Sequence, residues 1–141
     1  MNRGLTLPEM MIVLVIVGVM ACIAVPPLRR SLDRIAVDDA ADRYASLHEL
    51  ARQMAVARGR LVRVELDTTS RVATILVAAR GSWDTATTQS LGTARLNASR
   101  VAVTFSPIGI GFGVSNTRLI LARGAAAETL TVSRTGRLRR S

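Results

Sequence analysis

The chain has 141 residues and a net charge of +9, set by 19 basic residues, all arginine, against ten acids. That length supports one small core. A single cysteine, Cys22, excludes an intramolecular disulfide framework, and a single histidine, His48, excludes a histidine cluster for zinc. With Tyr44, Trp83, Phe105 and Phe112 as the only aromatic residues, the core must be built from Val, Leu, Ile and Ala.

The first four residues are too few and too polar for a secretory leader with its own apolar region. Met10 to Leu28 carries no charge and, as a helix, is long enough to cross a hydrocarbon core of about 30 Å. Cys22 lies within it and reads as a small packing residue. Glu9 stands at its head. A carboxylate held at depth costs roughly 2.5 kcal/mol or more, which places Glu9 near the interface or beside a cation.

Arg3-Gly4-Leu5-Thr6-Leu7-Pro8-Glu9, followed by that uninterrupted apolar helix, resembles the prepilin peptidase recognition motif of type IV pilins and type II secretion pseudopilins. The resemblance implies cleavage after Gly4, Leu5 as the new N-terminal residue, and Glu9 as the fifth residue of the mature chain. It also implies that prepilin peptidase and methyltransferase act on this chain, which is their substrate. Two positions depart from the usual pattern: Leu5 stands where Phe is common, and Pro8 where a branched aliphatic residue is common. Proline inside a helix costs about 3 kcal/mol. After the cut, however, Pro8 lies in the first turn, whose amides have no intrahelical acceptor.

The same resemblance implies assembly with other pilins or pseudopilins, the carboxylate of Glu9 in one subunit meeting the amine on Leu5 of a neighbour. An unpaired charge in a low-dielectric bundle is costly, so such a pair sets axial register as much as affinity. Arg29, Arg30, Arg34 and Arg43 follow the apolar segment and Arg3 precedes it, so counting positive charge would hold the C-terminal side in the cytoplasm. The resemblance implies the opposite: a bacterial inner-membrane protein with a single span, its N-terminus cytoplasmic and its head periplasmic.

Beyond Pro26-Pro27, residues Leu28, Leu32, Ile35, Ala36, Ala40, Tyr44, Leu47, Ala51 and Met54 recur at three- and four-residue steps. They predict an amphipathic helix that continues the apolar one and stops at Gly59. Asp38, Asp39 and Asp42 read as a solvated face, with Asp39 and Arg43 an i,i+4 pair, rather than as a cation site. Leu61 to Leu66 and Arg71 to Ala79 alternate as strands around the turn Asp67-Thr-Thr-Ser70, which predicts a hairpin. Gly81 to Ala94, rich in Ser, Thr, Gly and Ala, reads as a loop. Val101 to Phe105, Thr117 to Ala122 and Leu130 to Ser133 read as further strands.

The expected fold class is α+β, a type IV pilin-like long N-terminal helix packed on an antiparallel sheet. Its expected parts are a leader (1–4), a transmembrane and assembly helix (5–28), an amphipathic helix (29–58) and a β-rich head (59–141). Val103-Thr-Phe105-Ser-Pro-Ile-Gly109 and the closing Leu130-Thr-Val-Ser-Arg-Thr-Gly136-Arg137-Leu138-Arg139 resemble the GspH/FimT-type minor pseudopilins. That implies a subunit at or near the tip of a type II secretion pseudopilus or a type IV pilus.

The alternative within that resemblance is a FimT-like minor pilin. There a C-terminal Gly-Arg-x-Arg motif is associated with DNA capture, and Gly136-Arg137-Leu138-Arg139 matches it. Arg134, Arg137, Arg139 and Arg140 crowd the last eight residues, and an anionic partner suits them. Contact with DNA would be electrostatic and indifferent to sequence, since few aromatics are available for stacking. Against it, a lysine-free chain suggests a general preference for arginine, and a basic tail is often only a disordered end.

No catalytic, metal or cofactor site is expected. His48 sits mid-helix without an elbow motif, and reads as a solvated or packing residue. Gly109-Ile-Gly111-Phe-Gly113 lacks dinucleotide-loop spacing and reads as turns or bulges.

Overall fold

A computed structural model describes residues 6–141. One helix, α1 (Leu7–Arg58), precedes eight strands. The chain divides after Leu32 into two compact units.

In the first unit every described residue is exposed, including the uncharged run from Met10 to Leu28. A helix satisfies its own backbone groups, so such a segment is stable in lipid, where an apolar surface carries no penalty. Pro26 and Pro27 lie inside α1 and withhold the amides that would bond four residues back.

The second unit, Asp33–Ser141, holds the head. Here α1 becomes one-faced: Val37, Ala40, Ala41, Tyr44, Leu47, His48, Ala51 and Ala55 are buried. The stripe starts at Val37; Ile35, expected on it, stays exposed. Alanines 40, 41, 51 and 55 line this face, and Tyr44 and Leu47 are its largest buried apolar side chains. The helix stops at Arg58, and Gly59 takes a left-handed φ of 61°, the glycine terminus the sequence predicts.

Two four-stranded antiparallel sheets share that core. The first has the order β3-β2-β1-β5, from β1 (Val62–Asp67), β2 (Val72–Ala78), β3 (Trp83–Ser90) and β5 (Ala102–Phe105). The second has the order β4-β6-β7-β8, from β4 (Arg95–Ala98), β6 (Thr117–Arg123), β7 (Ala126–Val132) and β8 (Leu138–Arg140). The predicted hairpin is present, with Val62 opposite Val77 and Asp67 opposite Val72. Asp67 Oδ1 accepts the amides of Thr69 and Ser70 at its turn, and with the Ser70 hydroxyl, the largest cause, these hold the Asp67 carboxyl below its ordinary range.

Residues 81–94, expected as a loop, contain β3, which pairs with β2 along its length. None of its side chains is fully buried, so it lacks the apolar alternation that identifies a half-buried strand. Its threonines are the remaining signal. Strands β4 and β8 were likewise unforeseen as elements: β4 commits Leu96 alone to the core, and β8 has three residues.

Truncating Leu130, which is fully buried on β7, to Ala is expected to cost about 2–5 kcal/mol. Exposed Ile120→Ala on β6 should stay within about 0.5 kcal/mol. Urea unfolding of the chain followed by Trp83 fluorescence separates the two.

Candidate functional site

Gly4 and Leu5 lie outside the described residues. Glu9 stands in the first turn of α1, where its carboxylate favours the positive end of the helix dipole. Glu9 Oε2 accepts from the Thr6 amide and the Thr6 hydroxyl, each at 3.3 Å. Thr6, just before the helix, and Glu9, three residues later, therefore form the returning half of a capping box. The Thr-x-x-Glu spacing carried that signal in the sequence, although the motif resemblance drew attention to Glu9 for another reason. At 3.3 Å both bonds are long, and the carboxylate is open to a stronger cationic partner. Pro8 sits within the first turn.

The C-terminal arginines separate onto different surfaces. Ser133 to Arg137 forms the β7–β8 turn: the Ser133 amide donates to the Arg137 carbonyl and the Gly136 amide to the Ser133 carbonyl, both at 2.9 Å. Gly136 has a φ of 81°, and a Cβ there would lie 2.9 Å from the Phe105 ring. Its glycine is thus required by packing as well as conformation. The basic end is a paired strand: Arg139 lies opposite Thr131, which lies opposite Arg118 on β6. Directly opposed residues share a face, so Arg118 and Arg139 flank Thr131 on one exposed surface. Arg137 is exposed beside them, and Arg134 is exposed in the turn.

Arg140 alternates to the other side. Its Nε and Nη2 bind the two oxygens of Glu128 at 2.5 and 3.1 Å, a bidentate fork, and its Nη1 pairs with Asp42 of α1. These carboxylates, Glu128 foremost, raise the guanidinium pKa. Arg123 pairs with Asp33 at 3.0 Å and ties β6 to the same helix. Asp39 and Arg43 form the predicted i,i+4 pair at 2.9 Å. Among the described residues no group of acids, His and Cys could hold a metal ion.

His48 is buried rather than solvated. Its Nε2 donates to the Gly136 carbonyl at 2.9 Å, and its ring meets Phe105 edge-on at 4.9 Å between centroids. Nδ1 is buried without a hydrogen-bond partner among the described residues, as is the Tyr44 hydroxyl. Burial, the largest cause, lowers the His48 pKa and raises that of Tyr44. The neutral imidazole therefore pins the β7–β8 turn to α1.

A helix with an uncharged, uncovered first part and a head of antiparallel sheets folded on its second part is the architecture of a type IV pilin-like subunit. The chain belongs to the GspH family: the model of the type II transport protein GspH matches residues 40–136, and that of the prokaryotic N-terminal methylation motif matches residues 1–25. It is a minor pseudopilin or minor pilin of the type II secretion and type IV pilus class. No curated protein matches it. Among solved structures it is similar to the type IV minor pilin FimU of Pseudomonas aeruginosa PAO1, with 18% identity, 74% of this chain and 91% of that one covered, and a TM-score of 0.62. It is also similar to the minor pseudopilin EpsH from the type II secretion system of Vibrio cholerae, with 13% identity, 77% and 97% coverage, and a TM-score of 0.63. These likenesses establish the fold.

Because the folded His48 pKa lies below its ordinary value, the unfolded chain binds the extra proton first. Its contribution to stability is present above about pH 6.5 and is lost as pH falls below that value, at up to about 1.4 kcal/mol per pH unit. In urea titrations between neutral and mildly acid pH, His48→Leu should flatten the slope. Arg140→Ala should cost about 1–3 kcal/mol by stranding the shielded Glu128, whereas Arg139→Ala should stay within about 0.5 kcal/mol.

Proposed function

We propose that the chain is processed after Gly4 and built into a pseudopilus or pilus at or near its tip through Glu9. In this reading residues 1–4 are the leader, 5–28 the membrane and assembly helix, 29–58 its continuation, and 59–141 the head. Prepilin peptidase and methyltransferase act on Gly4 and Leu5, the N-terminus lies in the cytoplasm, and the head crosses the inner membrane to the periplasm. The supporting observation is the exposed run of α1 from Met10 to Leu28, uncharged throughout, with Glu9 immediately before it in the first turn, held by two long bonds to Thr6. The freshly cut amine of a neighbouring subunit offers that carboxylate a charge-assisted bond, stronger than either. Burial of the pair among packed helices then penalises any other register, since a displaced neighbour leaves a charge unpaired.

Two measurements test this. Mass spectrometry of the protein from its native membrane is expected to show Leu5 as the first residue; residues 1–4 still attached would overturn the processing step. Glu9→Leu is expected to remove the chain from assembled complexes by about tenfold or more, as for a buried pair broken at one partner. Thr6→Ala, which removes only the hydroxyl bond, should leave incorporation nearly intact. Unchanged incorporation of Glu9→Leu contradicts the pairing.

DNA capture is the second reading, favoured only by the exposed face that carries Arg118, Arg137 and Arg139 without a carboxylate partner among the described residues. It requires affinity to fall by about 0.9 log units per log unit of salt for each phosphate neutralised. Gel retardation should weaken with Arg137→Ala and Arg139→Ala and not with Arg140→Ala, whose side chain already serves Glu128 and Asp42. Equal retardation by all three variants removes this face from the reading.

A further inference from the structure

The segment from Val101 to Thr117 contains no charged residue. Its centre turns an apolar row to solvent: Ile108 is 74% exposed, Ile110 46%, Phe112 55% and Val114 63%. Single exposed apolar residues are ordinary, but a contiguous row is a mark of an interaction surface.

This row is held rigidly. The Ser106 amide and hydroxyl both donate to the Ile110 carbonyl, at 2.8 and 3.0 Å, and the Gly109 amide returns to the Ser106 carbonyl at 2.9 Å. The Phe112 amide bonds the Thr104 carbonyl at 2.8 Å, and the Ser115 hydroxyl donates to the carbonyls of Phe112 and Thr104. Arg52 of α1 donates to the Gly109 carbonyl at 2.9 Å. At Gly111 a Cβ would lie 2.5 Å from the Arg134 carbonyl, so the loop presses on the β7–β8 turn. The backbone is ordered while the side chains lack a core, which lowers the entropy lost when a partner covers them.

At its border stand Arg134 and Arg52, the latter also within 3.9 Å of Glu49 on α1. A groove of about 490 Å³ beside the loop is lined by Gly113, Val114, Asn116 and Arg134, and Arg134 has no acidic partner among the described residues. A second copy of this chain, with net charge +9, would meet like charge at that border. The complementary occupant is a protein surface apolar at its centre and acidic at its rim.

We infer that the Ile108–Val114 loop with Arg134 is the contact by which this chain docks an acidic-rimmed neighbouring pilin-type subunit; this rests on the subunit reading above. The full chain, carrying a photoreactive phenylalanine analogue in place of Ile108 or Val114, is expressed in its own host together with that host's other pilins and irradiated. The expected adduct is with a different pilin-type subunit, mapped by mass spectrometry to a peptide bearing Asp or Glu. A control analogue at exposed Thr85 on β3 should give none. Arg134→Glu is expected to reduce the adduct about tenfold, and Arg134→Lys to preserve most of it. An adduct with lipid or with a second copy of this chain, no adduct, or one indifferent to Arg134→Glu overturns the inference. If the chain still enters assembled complexes in those cells, this inference alone has failed. If the unlabelled chain never enters them, the subunit reading fails as well.

Discussion

A carboxylate at the head of an uncharged helix is the constraint around which this chain is organised. Met10 to Leu28 has no group that water would hold and no protein surface covering it, so it belongs in lipid or among other apolar helices. Glu9 is the one group in that region that neither setting tolerates unpaired. In the lone chain Thr6 partly satisfies it, through bonds too long to compete with a cation.

The second part of α1 works by a different physical rule. From Val37 onward one face is buried against two sheets, and acids of the same helix bind arginines arriving from the sheets. Arg123 reaches Asp33, and Arg140 reaches both Asp42 and Glu128. Exposed ion pairs contribute little singly; here two link β6 and β8 to the helix beside a packed core. His48 adds a pin from inside, through the Gly136 carbonyl. The C-terminal arginines therefore do different work: Arg140 fastens the head, while Arg137 and Arg139 face outward.

Much of this was legible wherever a repeating pattern reported a single buried face. The amphipathic run through Tyr44 and Leu47, the stop at Gly59, and the β1–β2 hairpin around Asp67 all follow from periods of 3.6 and 2 and from turn chemistry. Strand β3 was hidden because its side chains commit to no core face, and β4 and β8 because they are too short to show a period. That the strands form two sheets rather than one depends on which strands pair, and alternation alone does not encode partners. At the N-terminus the motif resemblance points to Glu9, and the Thr-x-x-Glu spacing encodes its bonds to Thr6. At the C-terminus four arginines in eight residues looked like one basic cluster; the two-residue period of β8 divides them.

The same division bears on how such a subunit meets its surroundings. Exposed apolar surface is concentrated on the bare helix and on the Ile108–Val114 loop, and arginines unpaired among the described residues lie on the sheet face and at position 134. The central claim is the ion pair between Glu9 and a neighbour's amine, and its most direct test is an interchain NMR contact in assembled complexes. This chain would carry carbon-labelled glutamate and its neighbours nitrogen-labelled backbone. A coupling between the Glu9 carboxyl carbon and a neighbour's N-terminal amine, at a separation of about 4 Å or less, is the predicted result. Complexes that contain the chain yet show Glu9 coupled to no neighbouring amine would contradict it.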